Sequence, residues 1–100
     1  MSEIKFVLLL EPEAINDIQD AINFYDEAQP GLGKKFEEAL NRLFKMLEHS
    51  PFFAIRYDEV HCLPMRKFPY MLHYTLDEGA GEIIVRALFH TSLNPVRWKR

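Results

Sequence analysis

The sequence lacks several features that would mark a secreted or membrane-bound protein. Cys62 is the only cysteine among 100 residues, so no disulfide can form within the chain, and we expect a reducing, cytoplasmic location. The most prominent apolar run, residues 4–10, spans about seven residues, too few to cross a membrane. It also lacks the basic start and cleavage site of a signal peptide. Without repeats, low-complexity tracts or linkers, residues 1–100 are predicted to form a single domain.

Charge of one sign is not in large excess either. The formal net charge is −3 and the pI is near 5.8, which argues against a non-specific nucleic-acid binder. The charges are unevenly distributed, however, because acids dominate from residue 3 to residue 59. Residues 61–100 contain six lysines and arginines against three acids. We therefore expect a cationic C-terminal surface that can steer an anionic partner.

The apolar pattern predicts a strand followed by two helices. The hydrophobic fraction of 48% favours a folded core, and the run at residues 4–10 is typical of a buried strand. Apolar residues then recur every three or four positions over residues 14–25 and 36–47, as amphipathic helices require. Only a short segment around Pro30 and Gly31 separates them, so the helices should run antiparallel.

After Pro51 the apolar period changes to two. Residues 53–57 suggest a short strand or bend, and residues 60–68 a strand in which Pro64 marks an edge or bulge. Residues 70–76 and 83–90 alternate in polarity around a glycine-containing turn, as in a β-hairpin. The predicted fold class is α+β: a strand, a helical hairpin, then a three-stranded antiparallel sheet on which the hairpin packs.

The final hairpin carries candidates for acid–base chemistry. Metal-independent RNA cleavage needs a base, an acid and cations over the phosphate. The side chains able to supply them are His73, His90, Tyr74, Arg66, Lys67 and Arg86. Symmetric pairing across residues 77–82 would put His73 opposite or one step from Arg86, where the two could clamp a phosphate. On strands of alternating polarity, a pair facing solvent or a partner protein is the commoner case.

His90 and the dibasic pair Arg66-Lys67 each allow two interpretations. His90, at a strand end, could act as an acid or base, or could simply hydrogen-bond the following tail. Arg66 and Lys67 lie where one strand turns into the next, a position suited to nucleic acid or an acidic partner. A solvated pair would look the same in sequence.

The C-terminal residues Arg97, Trp98 and Lys99 form a basic, aromatic tail. Trp98 is expected to pack the tail onto the core rather than to stack on a base. Cys62 has no triad-like neighbours in the sequence and is expected to be a plain buried thiol.

The ordered set of short motifs resembles the RelE/ParE superfamily of small bacterial toxins, and within it the ParE-like, plasmid stabilisation branch. The matching residues span nearly the whole chain in order: Pro12-Glu13-Ala14, Phe24-Tyr25, Pro30-Gly31-Leu32-Gly33, Pro51-Phe52, Arg66-Lys67-Phe68-Pro69-Tyr70, His90, Asn94-Pro95 and Trp98. No single motif is specific, but the ordered set is more so.

This resemblance implies the toxin of a type II toxin–antitoxin system, cytoplasmic, neutralised by a cognate antitoxin and free of metal or organic cofactor. The antitoxin would lie on the helical pair and the flanking sheet edge. ParE-like members act on DNA gyrase, and this non-enzymatic mode is the preferred expectation. Target contacts would come from five residues: Arg66, Lys67, Arg97, Trp98 and Lys99.

Two alternatives stay open. RelE-like members cleave mRNA on the ribosome, so the chain could be a metal-independent endoribonuclease with catalytic residues among His90, His73, Arg66 and Arg86. It could also be a degenerate, non-toxic binding module. A homodimer is left open as well.

Overall fold

In the computed structural model, which describes residues 5–98, two helices cover one face of a five-stranded sheet. The elements in chain order are β1 (Val7–Leu10), α1 (Pro12–Ala28), α2 (Leu32–His49), β2 (Ile55–Tyr57), β3 (Val60–Pro64), β4 (Tyr70–Asp77), β5 (Glu82–His90) and a 3₁₀ turn (Pro95–Arg97). This confirms the predicted α+β order of a strand, a helical hairpin and further strands.

The sheet has more strands than predicted and is mixed. Its strand order is β1-β5-β4-β3-β2, with β1 parallel to β5 and the other pairs antiparallel. The strand predicted over residues 4–10 is present as β1, but it is covered on one face only, because β1 lies at the sheet edge. Val7 is 57% exposed and Leu9 is 42% exposed, whereas Leu8 packs against the core. Residue 4 lies outside the described residues.

The two helices are joined by a tight connection that Asp26 stabilises. Gly31 has a φ of +90° and offers no side-chain cap to α2. The Asp26 side chain on α1 instead accepts hydrogen bonds from the backbone N–H groups of Gly31 and Gly33, each at 3.1 Å. Gly33 allows close approach of the helices, because a Cβ there would lie 2.6 Å from the carbonyl oxygen of Ile22. The predicted antiparallel pair is thereby confirmed.

The core lies between the helices and the inner face of the sheet. Its fully buried side chains include Phe36, Leu40 and Leu47 from α2, Leu72 and Tyr74 from β4, and Ile83 and Val85 from β5. An aromatic group closes one end of this core, where Tyr25 and Phe36 stack with ring centroids 5.3 Å apart. Phe68 meets both rings edge-on at 5.0 Å.

A β-bulge interrupts the ladder between β4 and β5. His73 pairs with Ala87 and Tyr74 with Val85, so Arg86 is an extra residue in β5. The predicted alternation through residues 83–90 therefore shifts after Val85, and Leu88 rather than Ala87 joins the core. Helix α1 is attached at this bulge, because the Asp17 carboxylate accepts a hydrogen bond from the Leu88 backbone N–H at 3.1 Å.

Neither helix in residues 5–98 combines the length and the apolar character that crossing a membrane would require.

Candidate functional site

His73 is buried on the face of the sheet that points away from the helices. Its neighbours Leu72 and Tyr74 both face the core, so alternation directs His73 to the outer face. There its exposed fraction is 0%, because the rings of Trp98 and Phe89 cover it with centroids at 4.8 and 4.9 Å. Its Nδ1 pairs with the Tyr57 hydroxyl at 3.0 Å.

We call this group of five side chains the outer-face cluster: Tyr57, Cys62, His73, Phe89 and Trp98. Trp98 also lies 5.5 Å from the Tyr57 ring, so it packs the tail onto the rest of the chain as predicted, but against the outer face of the sheet and not against the core. The prediction of a buried Cys62 thiol is confirmed too, and its Sγ lies 3.5 Å from His73 Nδ1. Burial raises the pKa of the Cys62 thiol, which opposes formation of a nucleophilic thiolate.

Arg86 is exposed, and its guanidinium pairs with Glu11 and Thr75. Its Nη1 lies 2.9 Å from Glu11 Oε1, and its Nε donates to Thr75 Oγ1 at 3.2 Å. The clamp that the sequence allowed, in which His73 and Arg86 hold one phosphate, is therefore not formed. The preferred interpretation, a His–Arg pair facing solvent or a partner, is wrong for His73, which is fully buried. The bulge puts the two residues one step apart on the same face, but His73 is sealed inside the outer-face cluster while Arg86 pairs with Glu11.

The cavity beside Arg86 is unsuited to a phosphate. It has a volume of about 380 Å³, and Glu11, Glu13 and Asp58 line it together with Trp98. Carboxylates repel the anionic phosphate backbone of a nucleic acid, and Glu11 already neutralises the positive charge of Arg86. Sequence reasoning missed Glu11, because nothing in the order of residues shows that β1 would lie beside β5.

His90 is exposed at the end of β5. Its Nδ1 accepts a hydrogen bond from the Ser92 backbone N–H at 3.1 Å and pairs with the Ser92 hydroxyl at 2.7 Å. The Tyr70 ring meets it edge-on at 5.2 Å. The bond to the following tail corresponds to one of the two predicted interpretations, with Ser92 as the partner. Asn94 instead caps the 3₁₀ turn by accepting from Val96 N at 3.0 Å.

Arg66 and Lys67 lie exposed on the connection between β3 and β4. Met65 N donates to Tyr70 O across this connection, and Tyr70 pairs with His90, so the connection and His90 occupy one end of the sheet. Arg66 and Lys67 also border a groove of about 690 Å³ whose other wall is α2.

Of the tail residues expected to contact a target, Arg97 is exposed in the 3₁₀ turn. Trp98 is partly buried in the outer-face cluster. Lys99 lies outside the described residues. Tyr74, also a candidate, is fully buried in the core. The candidate residues are therefore spread over four places: the core, the outer-face cluster with Arg86 beside it, the end of the sheet around His90, and the tail.

No group of three or more His, Cys, Asp or Glu side chains within residues 5–98 is arranged to hold a metal ion.

Comparison with known proteins gives a result at the level of structure only. No protein-family model matches this chain, and no curated protein sequence matches it. A chain of the chromosomal ParDE TA system from P. aeruginosa superposes with a TM-score of 0.76 and 16% identity, covering 90% of this chain and 100% of that chain.

Two further structures agree with the first. The isolated E. coli RelE toxin gives a TM-score of 0.65 at 15% identity, over 91% of this chain and 89% of that chain. The RelBE2 toxin–antitoxin complex from Mycobacterium tuberculosis gives 0.63 at 13% identity, over 89% of this chain and 94% of that chain. The fold predicted from the sequence resemblance is therefore confirmed: this chain has the RelE/ParE toxin fold.

Proposed function

We propose that this chain is the toxin component of a type II toxin–antitoxin system and is neutralised by a cognate antitoxin. The observation that carries the proposal is the extent of the structural likeness. A chain of the ParDE system superposes over its full length, and the RelE and RelBE2 structures over about nine-tenths of this chain. The same fold can carry different activities, so the mode of action depends on the candidate residues.

The proposed mode is ParE-like: binding and inhibiting a macromolecular target such as DNA gyrase. Cleavage of RNA would require an acid, a base and cations within hydrogen-bond reach of one phosphodiester. Two of the candidates cannot act on one phosphodiester, because His73 is fully buried and Arg86 is paired with Glu11. A protein surface without an assembled acid, base and cation is better suited to binding a target than to cleaving RNA.

One observation favours a RelE-like endoribonuclease as the second candidate. His90 is exposed at the same end of the sheet as the Arg66-Lys67 connection, so a base and two cations share one edge of the molecule. If this chain cleaves RNA, the reaction takes place at the end of the sheet that carries His90, and not at His73.

Induced expression in a bacterial host, followed by two assays, separates these modes. We expect growth arrest with DNA damage signalling and intact transcripts, and loss of gyrase supercoiling activity when the purified protein is added. Cleaved transcripts with normal supercoiling would establish the ribonuclease instead. Harmless expression would contradict both and leave a non-toxic binding module. Rescue by the product of a neighbouring short reading frame would identify the antitoxin.

Single variants then locate the toxic surface. We expect Arg66→Ala to reduce growth arrest while the far-UV circular dichroism stays unchanged, because Arg66 is exposed. His90→Ala should leave arrest intact in the ParE-like mode and abolish it in the ribonuclease mode. The matched control is Lys45→Ala, which removes an exposed cation from α2, away from both sites.

A further inference from the structure

Three large apolar side chains are exposed in the segment that follows α2. Phe52 is 63% exposed, Phe53 39% and Ile55 58%, and none of the three belongs to the main core. The Phe52 ring meets Phe6 edge-on with centroids 5.7 Å apart, which leaves most of the ring in solvent. Neighbouring exposed apolar side chains of this size are typical of an interaction surface.

Hydrogen bonds hold the backbone of this segment in place. The carbonyl oxygen of Pro51 accepts from the Tyr74 hydroxyl at 2.8 Å and from the Phe53 N–H at 3.0 Å. His61 Nδ1 bonds in turn to the carbonyl oxygen of Phe53. The exposed side chains therefore start from a fixed backbone, which lowers the entropy that is lost when a ligand binds to them.

The exposed apolar side chains line a groove whose other walls carry carboxylates. The groove has a volume of about 700 Å³ and lies between this segment, the turn of the β2–β3 hairpin and the end of β4 with the turn that follows it. Two acidic residues of each turn region line it, and all four are exposed: Asp58, Glu59, Asp77 and Glu78. We call this site the acidic groove.

The carboxylates of the acidic groove are not neutralised by its own basic residue. Arg86 lies at the groove, but its guanidinium pairs with Glu11 at 2.9 Å. Within the described part of the chain, no lysine or arginine comes within ion-pair distance of Glu59, Asp77 or Glu78. The groove therefore has an excess of negative charge, which attracts a cationic ligand and repels a nucleic acid.

The turn between β2 and β3 keeps its carboxylates at a cost to the backbone. Asp58 has a φ of +42° and Glu59 a φ of +63°. A two-residue hairpin turn with positive φ at both positions favours asparagine followed by glycine. Folding alone would favour glycine at Glu59, so the carboxylate there points to a role in binding.

The acidic groove is separate from the surfaces that the family resemblance implies. No residue of α1 or α2 lines it, whereas the antitoxin is expected on the helical pair. Of the described residues expected to contact the target, none lines it either: Arg66, Lys67, Arg97 and Trp98.

We propose that the acidic groove binds a cationic segment of a partner protein that also carries large apolar side chains. Its lysines or arginines pair with Glu59 and Glu78, and its apolar side chains cover Phe52 and Ile55. A free polyamine would balance the charge but leave these apolar side chains in water, so a peptide segment fits the groove better. The proposal concerns binding only and does not depend on whether the chain arrests growth.

The test is a selection from a display library of random peptides of 12 residues on the purified chain, followed by binding measurements on the synthesised winners. We expect enrichment of peptides that combine lysine or arginine with large apolar residues. The double variant Glu59→Lys with Glu78→Lys should weaken their binding about tenfold or more, because it places like charges against the peptide. Phe52→Ala should weaken it about fivefold or more.

Two controls match these variants in charge and in exposure. Glu37→Lys with Glu38→Lys makes the same charge change at exposed positions of α2, and Phe24→Ala removes a ring of α1 that is 61% exposed. Each control should alter the affinity by less than about threefold. Circular dichroism shows whether each variant keeps the fold.

Three results would overturn the proposal. The first is that the winners are not cationic, and the second is that they bind the groove variants as tightly as the wild type. The third is that the chain alone sediments as a dimer which Phe52→Ala separates into monomers, because a second copy would then cover the groove.

Glu59→Gly separates binding from stability in one residue. Glycine relieves the positive φ, so the midpoint of urea unfolding should rise. The loss of the carboxylate should weaken peptide binding about twofold to fivefold. A variant that is more stable and binds the peptides as tightly as the wild type would show that Glu59 serves only the turn, against the proposal.

Discussion

Tyr74 attaches the segment after α2 to the sheet. Its side chain is fully buried, and its hydroxyl donates a hydrogen bond to the carbonyl oxygen of Pro51 at 2.8 Å. His61 stacks on the Tyr74 ring with centroids 5.0 Å apart, and its Nδ1 bonds to the carbonyl oxygen of Phe53. One buried residue thus positions the chain that leads into β2.

Tyr74→Phe tests the energetic value of this hydroxyl. The substitution removes one of two donors to the Pro51 carbonyl oxygen, the other being the Phe53 backbone N–H at 3.0 Å. We therefore expect the free energy of unfolding to fall by about 1 kcal/mol in urea titrations. Tyr70→Phe is the control, because its hydroxyl makes no hydrogen bond within the described residues, and it should change stability by less than about 0.5 kcal/mol. Equal losses in both variants would contradict this role.

Alkaline pH should destabilise the protein through the same residue. Burial raises the pKa of Tyr74 to about 12 from the ordinary value of 10.0. Since the unfolded chain loses this proton first, the contribution of neutral Tyr74 is complete below pH 10 and is lost as the pH rises through 12.

We therefore expect the free energy of unfolding to fall between pH 10 and pH 12, and to fall less steeply in Tyr74→Phe. The slopes of the free energy of unfolding against pH should differ between the two proteins by up to about 1.4 kcal/mol per pH unit, which corresponds to the release of one proton. Burial also raises the pKa of Tyr25 and Tyr70, so the variant should retain part of the decline. Parallel curves for the two proteins would rule out Tyr74 as a source.

At the scale of elements, the helical hairpin depends on the close approach at Gly33. A Cβ at this position would lie 2.6 Å from the Ile22 carbonyl oxygen and 3.0 Å from Asp26 Oδ1. The first atom is backbone and cannot move aside without shifting α1. The same Asp26 oxygen also holds the N-terminus of α2, so both effects meet at one contact.

Gly33→Ala should consequently destabilise the protein, although alanine is the better helix former by roughly 0.5–1 kcal/mol. The clash outweighs this preference, and we expect a net loss of about 1–3 kcal/mol by thermal or urea denaturation. Gly79→Ala is the control, because an added Cβ meets only Asp77 Oδ1 at 3.6 Å and should be nearly neutral. A stabilised Gly33→Ala would show that α1 can move away.

At the scale of the whole molecule, the sheet supports two packed groups of very different size. The main core lies under the helices, whereas the outer-face cluster is closed by a tail with few anchors. The tail is held by the Trp98 ring and by the hydrogen bond from Thr91 N to Pro69 O at 2.8 Å. Most other tail residues are exposed, so local opening of the tail should cost little.

Trp98 is the only tryptophan, which makes its fluorescence a specific reporter of the tail. In a urea titration we expect its emission to change at a lower concentration than the far-UV circular dichroism, which follows the helices. Trp98→Phe should leave the circular dichroism midpoint almost unchanged. Coincident transitions by both probes would show instead that the tail unfolds together with the core.

The elements that were predicted correctly are those whose signals are local. The helical pair follows from the apolar spacing over residues 14–25 and 36–47 and from the break at Pro30 and Gly31. The hairpin of β4 and β5 follows from alternation and from the glycine-containing turn. Neighbouring residues determine such patterns, because helix and strand periods are properties of the local backbone.

The sequence by itself therefore determined the α+β order, the tight helical connection, the buried Cys62 and the packing role of Trp98. Only the tertiary structure decided that β1 is an exposed parallel edge and that Arg86 pairs with Glu11, 75 residues away in sequence. It also decided that His73 is buried while Met46 and Arg66 border one groove. These outcomes depend on which distant segments meet, and the period of a strand or helix carries no information about its partners.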